Sequence, residues 1–341
     1  MIRECLAKLV QGENLTREEA YQLMKRMMEG EATPSQMAGV LTALRMKGET
    51  VEELTGLAEG MRQKAAAVSL RVSGAVDTCG TGGDGGRTFN ISTGAAIVAA
   101  AAGIPVAKHG NRAVSGRSGS ADVLEALGVH IQMSPEEAET ALDRLGICFM
   151  FAPLFHHAVK RVMPTRKELG FRTCFNLLGP LANPANVKRQ LMGVYDPSLT
   201  ETVARVLLTL GTERALVVAG LDGIDEISIS GPTRISEVKD GQVTTYTLTP
   251  EDLGVRQAMP EAVAGGDAGT NARILRRVFQ GEEGPCRDVV LVNAGAVLYV
   301  AGRAKSIPEG VRMAADAVDS GKANEKLEEM IRYSREVSHV S

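Results

Sequence analysis

The sequence predicts an α/β fold in two parts: a small all-helical N-terminal domain over residues 1–70, then a larger α/β domain with a mostly parallel central sheet over residues 71–341. Three observations predict it. Helical-period apolar stripes with capping signals fill the first seventy residues. From Ser73-Gly74 onward, short strand-like runs alternate with helical ones, the rhythm of a parallel sheet with helices on both faces. The first strand-like run opens into Gly80-Thr81-Gly82-Gly83-Asp84-Gly85-Gly86, five glycines in seven positions.

Taken in order, Ile2, Cys5, Leu6 and Leu9 share one helical face. Thr16 with Glu19, and Thr50 with Glu53, have capping-box spacing, and Thr33-Pro34 starts a third helix whose stripe is Met37, Val40, Leu41 and Leu44. Strands are expected at Ala75–Asp77, Ile104–Ala107, Ile147–Met150, Gln190–Val194, Ala215–Val218 and Asp288–Val292. Helices are expected at Ser92–Ala102, Ser120–Leu127, Pro135–Leu145, Ser198–Leu210 and Gly269–Phe279. Glu226–Ile229, Thr233–Lys239 and Val243–Leu248, the last two joined at Asp240-Gly241, read as an antiparallel insertion. Residues 154–184 break the rhythm and read as helical, returning to pack on the N-terminal helices.

Composition narrows the partners. A net charge of −3 argues against general nucleic-acid binding, because positive charge is only local. The five cysteines form no Cys-x-x-Cys pair, which indicates neither a zinc site nor a disulfide framework and fits a reducing cytosol. The N-terminus has no apolar signal core, and the most apolar run, Ala95–Ala102, is far short of the roughly 20 residues of a membrane span. A soluble cytoplasmic protein with small-molecule partners is expected.

The chemistry concentrates between Asp77 and Ser120. No acid occurs from Gly85 to Ala121, yet Arg87, Lys108, Arg112 and Arg117 do, so a glycine-dense, cation-only block faces the solvent with free backbone N–H groups. That suits a phosphate or pyrophosphate. The G-x-G-x-x-G match of Gly80–Gly85 is not a dinucleotide fingerprint, since the next acid after Asp84 is Asp122. Walker A also fails, for want of Gly-Lys-Ser/Thr. Asn90, Ser92 and Thr93 stand at a helix entrance, suited to a phosphate and to helping hold a metal. Lys108-His109-Gly110-Asn111-Arg112 follows an expected buried strand; Lys and Arg suit phosphate oxygens, whereas His109 is as well read as structural. Asp225-Glu226 ends another loop, and beside a pyrophosphate site becomes a Mg²⁺ anchor. Arg166 is not singled out by its chemistry, and His156-His157 lacks partners at ligand spacing.

Together, Gly80–Asp84, Asn90–Thr93, Lys108–Arg112, Ser118–Leu124, Arg166–Pro180 and Leu221–Glu226 occur in an order that closely resembles the anthranilate phosphoribosyltransferases. The likeness spans nearly the whole chain. It implies a fold of the nucleoside phosphorylase / phosphoribosyltransferase type, with a cleft between the domains, and a homodimer. The implied reaction transfers the phosphoribosyl group of phosphoribosyl pyrophosphate (PRPP) to the amine of anthranilate, in tryptophan biosynthesis. By resemblance PRPP meets Gly80, Gly83, Asp84, Thr88, Asn90, Ser92, Thr93, Lys108, His109, Gly110, Asn111, Arg112, Ala113, Val114, Ser115, Gly116 and Ser120. Ser92, Asp225 and Glu226 would hold Mg²⁺; Gly80, Asn111 and Arg166 would meet anthranilate; Lys108 and Arg166 would act in catalysis. Two positions depart from the pattern: His156-His157-Ala158 where His-Pro-Ala is usual, and Ala219-Gly220 where His-Gly is frequent. A pyrimidine-nucleoside phosphorylase of similar architecture is the nearest alternative. The Lys108–Arg112 motif and the Asp225-Glu226 pair speak against it.

Overall fold

The computed structural model describes residues 1–82, 87–113 and 117–338; Gly83, Asp84, Val114, Ser115 and Gly116, expected above at the ligand, lie outside the described residues. Helix α1 (Ile2–Val10) is followed by three helices started by threonines: α2 (Arg17–Glu29), α3 (Pro34–Lys47) and α4 (Val51–Gln63). The Thr16, Thr33 and Thr50 hydroxyls each accept the N–H three residues on, and Glu19, Gln36 and Glu53 accept the cap's own N–H. Each box satisfies orphan donors that a free helix end leaves to water.

Seven strands form one sheet in the order β3-β2-β1-β4-β5-β6-β7. They are β1 (Val76–Asp77), β2 (Val106–Gly110), β3 (Ile147–Phe151), β4 (Arg189–Gly193), β5 (Arg214–Gly220), β6 (Thr233–Lys239) and β7 (Gln242–Leu248). β1 to β5 run parallel, whereas β6 and β7 pair antiparallel. The order reverses between β1 and β4. In open α/β sheets the crevice at such a reversal, outside the carboxyl ends of the strands, is where ligands bind.

The remaining helices are α5 (Ile91–Ala101), α6 (Ser120–Leu127), α7 (Pro135–Leu145), α8 (Ala152–Phe155), α9 (Met163–Leu169), α10 (Phe175–Leu181), α11 (Leu199–Thr209), α12 (Ala268–Phe279), α13 (Pro285–Val300), α14 (Ile307–Asp319) and α15 (Lys322–Ser338). Side-chain alternation along the strands divides them into layers. Val76, Val106, Leu191, Leu216 and Val218 point to a core shared with α5, α12, α13, α14 and α15. On the other face Met192, Val217 and Ala219 join the N-terminal helices, α10 and α11 in a second core. Ala107, Cys148 and Met150 meet α7 and α8 in a third. The returning segment docks on the bundle: Arg62 Nε donates to Leu181 O at 2.7 Å and Arg161 to Met28 O at 2.6 Å. Among the described residues no helix is long and apolar enough to cross a membrane.

Three expectations need correction. Asp288–Val292 is no strand; it lies inside α13, whose apolar run continues past Val297, begins at a proline and is buried almost all round. A short β-branched run cannot be told from a buried helix by period alone, and length decides. Glu226–Ile229 forms no strand, because the Asn293 side chain takes both backbone groups of Ile227. The β6–β7 hairpin is antiparallel with its turn at Asp240-Gly241, as expected, and continues the main sheet beyond β5. Finally, β2 starts at Val106, so Lys108, His109 and Gly110 belong to the strand and pair with Phe149, Met150 and Phe151. Pro105 has no N–H to donate, and the ladder begins where Val106 N reaches Gly146 O at 2.9 Å.

Candidate active site at the reversal point of the sheet

The glycine loop leaves β1 and is stitched at once to the end of β4. Thr81 N donates to Gly193 O at 2.9 Å, and Thr81 Oγ1 accepts Tyr195 N at 3.1 Å. Gly193 also faces the backbone of Asp225, where a methyl would sit 1.6 Å from Asp225 O. Only glycine permits that approach. A methyl built on Gly80 would in turn lie 3.2 Å from Asp225 Oδ2, so the Asp225 carboxylate faces the start of the glycine loop. Arg87, at the loop's far end, donates to Gly223 O at 2.7 Å, and Gly223 has φ +94°, open to glycine alone.

Helix α5 aims its N-terminus into this junction. Ser92 N donates to Glu226 Oε1 at 3.1 Å, so a carboxylate from a distant loop caps the positive helix end. Ile227 next to it is clamped by Asn293, which donates to Ile227 O at 3.0 Å and accepts Ile227 N at 3.0 Å. Lys108 Nζ lies buried below, donating to Thr78 O at 2.9 Å, Thr78 Oγ1 at 3.0 Å and Ser92 Oγ at 3.4 Å. Thr93 Oγ1 is buried with no hydrogen-bond partner among the described residues. Asn90 Nδ2 donates to Ser118 O at 3.1 Å, and Thr88 pairs antiparallel with Ala264.

Strand alternation sends Lys108 and His109 to opposite faces. The His109 ring lies beside His156, with centroids 5.1 Å apart, and the ring nitrogens make no well-formed hydrogen bond among the described residues, each having only a backbone neighbour, Gly179 for His109 and Ala182 for His156. Burial holds both rings neutral, lowering His109 to about 3 and His156 to about 4. His109 therefore joins the site through its backbone: its N–H donates to Asp77 Oδ1 at 3.1 Å. Asp77 also accepts Asn183 Nδ2 at 2.7 Å, and burial pushes its carboxyl up to about 6 against the pull of Lys108.

Beyond Gly110 the chain is tied by its own acids. Asp122 Oδ2 accepts Ala113 N at 2.9 Å and Gly119 N at 2.8 Å. The Arg112 guanidinium, expected to be a fork for phosphate, is taken up by Asp122 at 2.9 Å and Glu125 at 2.5 Å and lies over Phe151. The block free of acid in sequence is thus not free of it in space. Ser120 Oγ sits over Gly110 and donates to Asn111 O at 3.3 Å, while Asn111 Oδ1 accepts Arg112 N at 2.7 Å. Arg166, half-buried on α9, lies over the Phe175 ring at 5.2 Å and reaches Asn176 Oδ1 at 3.5 Å. Both partners belong to α10, which is tied to the central strand β4 where Gln190 Nε2 donates to Pro180 O at 2.9 Å.

The arrangement gathers a buried ammonium, a helix N-terminus, hydroxyls and two carboxylates around one glycine loop, the donor set for a phosphorylated ligand with a hard cation. Among the described residues no three His, Cys, Asp or Glu side chains converge as a metal cage. Two carboxylates and a hydroxyl fit Mg²⁺, which ordinarily completes its octahedron with waters and ligand phosphates. Surface concavities of about 530 Å³ beside Tyr21 and Arg62, and about 420 Å³ beside Gln280 and Asn324, lie elsewhere and gather none of these groups. Sequence reading missed Gly193 and Asn293. Gly193 carried one faint signal, a glycine at the end of an expected strand; Asn293 sits inside a helix and carried none.

Residues 72–324 match the family described as glycosyl transferase family, a/b domain, and residues 3–65 its helical bundle domain. An anthranilate phosphoribosyltransferase of Symbiobacterium thermophilum is 54% identical over 333 residues, covering 98% of both chains. The solved anthranilate phosphoribosyltransferase of Thermus thermophilus superposes with a TM-score of 0.92 at 45% identity, over 97% of this chain and 99% of that one. The Saccharomyces cerevisiae enzyme, solved in complex with PRPP and Mg, gives 0.89 at 27% identity over 98% of each. The chain belongs to the anthranilate phosphoribosyltransferases, a glycosyl transferase family whose helical bundle and a/b domains it carries in that order.

Proposed function

We propose that the chain transfers the phosphoribosyl group of PRPP to the amine of anthranilate, with release of pyrophosphate, as a cytoplasmic homodimer in tryptophan biosynthesis. The helical half is residues 1–70 with 154–184, and the remainder to 341 binds PRPP and metal. One observation carries the reading: Lys108, the α5 N-terminus with Ser92, and Asp225-Glu226 meet at the glycine loop, in a chain more than half identical to such an enzyme.

The amine nitrogen forms a bond to the ribose anomeric carbon as the bond to the pyrophosphate oxygen breaks, and the amine loses a proton. Cleavage runs ahead of bond formation, as in glycoside chemistry generally. Negative charge grows on the leaving group, so preorganised donors matter most. Gly80, Thr88, Asn90, Thr93 and the backbone of residues 108–113 surround PRPP, with Ser120 closing the rim. The orphaned Thr93 hydroxyl has a hydrogen bond to give. Lys108 holds a fixed positive charge beneath the loop. Ser92, Asp225 and Glu226 would hold Mg²⁺, which neutralises pyrophosphate charge when bound. Arg166 fixes the anthranilate carboxylate and aims the amine, with Gly80 and Asn111 lining the approach. The amine is neutral at pH 7, so no strong base is required.

The test follows the fading of anthranilate fluorescence with purified protein. Loss that requires both PRPP and Mg²⁺, and that collapses in D225N/E226Q, is expected. Phosphorolysis of a pyrimidine nucleoside without loss of anthranilate emission would overturn the assignment.

A further inference from the structure

Asn90 stands in the proposed PRPP site, and one of the residues that hold its side chain comes from a helix remote in sequence. Asn271, on α12, is 1% exposed and lies 181 positions away in sequence. Its Oδ1 accepts Gly266 N at 2.7 Å, and its Nδ2 donates to Asn90 Oδ1 at 2.9 Å. A backbone N–H can only donate. Gly266 therefore fixes which end of the Asn271 amide is oxygen, and Asn271 in turn fixes which end of the Asn90 amide is oxygen. The Asn90 Nδ2 is left pointing the other way, where one hydrogen meets Ser118 O at 3.1 Å. A carbonyl can only accept, so both ends of the chain of bonds agree. The second Nδ2 hydrogen is spent on no described residue, at the mouth of α5 beside the glycine loop.

We propose that Asn271 is a positioning residue for phosphoribosyl transfer: it sets the polarity of the Asn90 amide, so that Asn90 offers an N–H, not an oxygen, to the phosphate groups of PRPP. The proposal rests on the reading of Asn90 as a PRPP contact. Ser118 holds the other edge of the same amide, its carbonyl accepting Nδ2 at 3.1 Å and its hydroxyl donating to Oδ1 at 3.2 Å. Without Asn271 the polarity rests on that one residue, and an amide oxygen facing a phosphate repels where the N–H attracts. The buried position of Asn271 suits the task, because α12 is packed into the core and holds the side chain in one place.

The experiment compares N90A, N271A, N271D and N90A/N271D in steady-state assays varying PRPP and anthranilate separately. In N271D the new carboxylate matches the amide in shape and still accepts Gly266 N–H, but it places an oxygen against Asn90 Oδ1 and so turns the Asn90 amide round. N271D is expected to raise the PRPP KM about tenfold or more, the weight of one charge-assisted hydrogen bond, with the anthranilate KM within about twofold of wild type. N271A, which adds no charge, should fall between. In the N90A background the N271D change should have no further effect on the PRPP KM. An N90A that raises the PRPP KM beside an N271D and N271A that do not overturns the relay and leaves Asn90 in the site. An unchanged PRPP KM in N90A removes Asn90 from the site and the relay with it. A tenfold N271D effect that persists in N90A assigns the change to charge and overturns the proposal. Should the N271A and N271D variants not fold, wild-type protein labelled with nitrogen-15 asparagine decides. The Asn90 side-chain amide, identified by its loss in N90A, shifts on adding PRPP with Mg²⁺ if its N–H faces the phosphate, and a stationary signal overturns the proposal.

Discussion

Arg166 and His156 show what single side chains do in this protein beyond packing. Arg166 lies over the Phe175 ring and beside Asn176, so two residues of α10 hold its guanidinium in place, as the proposed acceptor contact requires. R166A is expected to raise the anthranilate KM at least tenfold while leaving the PRPP KM nearly unchanged, by two-substrate kinetics; equal changes in both would remove Arg166 from the acceptor side. His156 acts on stability. Its ring is neutral in the folded chain, lowered to about 4 by burial, whereas an unfolded histidine takes up a proton near 6.5. The unfolded chain therefore binds the extra proton between those values, and stability present above pH 6.5 is lost as pH falls toward 4, by about 3 kcal/mol at most. H156F should flatten that acid limb, read as the urea midpoint at pH 7 and pH 4.5; an unchanged slope would refute it. In the sequence, Arg166 takes a role only through the family resemblance, and His156 takes none. Arg166 looked like any helix-borne arginine, and the apposition of His156 to His109 depends on β2 reaching three residues further than its pattern suggested.

Elements carry the site by their ends. β4 closes in Gly193, against which the Asp225 backbone rests at a distance no side chain allows. G193A must push the Asp225-Glu226 loop away from the glycine loop, so we expect a folded protein whose Mg²⁺ requirement for half-maximal rate rises at least tenfold. Normal Mg²⁺ dependence in G193A would show that the loop is set by Asn293 alone. The helices were the legible part of the sequence, since Thr16, Thr33 and Thr50 announce their starts through local chemistry and the stripes of α1 and α3 announce their faces. Elements buried on every side were harder. α13 presents no polar face to mark its period and so imitated a strand at Asp288–Val292. The Glu226–Ile229 run imitated one too, because the partner of its backbone is Asn293, 66 positions away.

At the scale of the whole molecule, the bundle and the sheet are not separable cores. One apolar cluster runs from Leu23 and Leu57 through Leu178 and Leu207 to Met192 and Val217, and a cluster that opens as a unit melts as a unit. A single unfolding transition is expected, with far- and near-ultraviolet circular dichroism coincident; PRPP with Mg²⁺ at a hundred times its dissociation constant should raise it by about 2.7 kcal/mol. D225N/E226Q should lose that gain, and two separate transitions would contradict the shared core. The α/β class and the motif order could be read from the chain because they repeat a local rhythm. The reversal between β1 and β4, which brings Gly80 to Gly193 and Asp225, could not, because strand order is a property of non-local pairing.

α5 (ISTGAAIVAAA) is built mostly of small residues, and its N-terminus presents Ser92. From Thr93 to Ala100 every residue is buried, between the sheet on one side and α13 and α15 on the other. A library randomised across Ala95, Ala96, Ala99 and Ala100 would therefore return few working clones, since any larger side chain must shift the whole rod and Ser92 with it. One randomised over the outer positions of β7 would return many. The stretch that carries Ser92 has almost no neutral neighbours in sequence space, so under the proposed role of Arg166 new acceptor preferences would have to be evolved on α9 and α10.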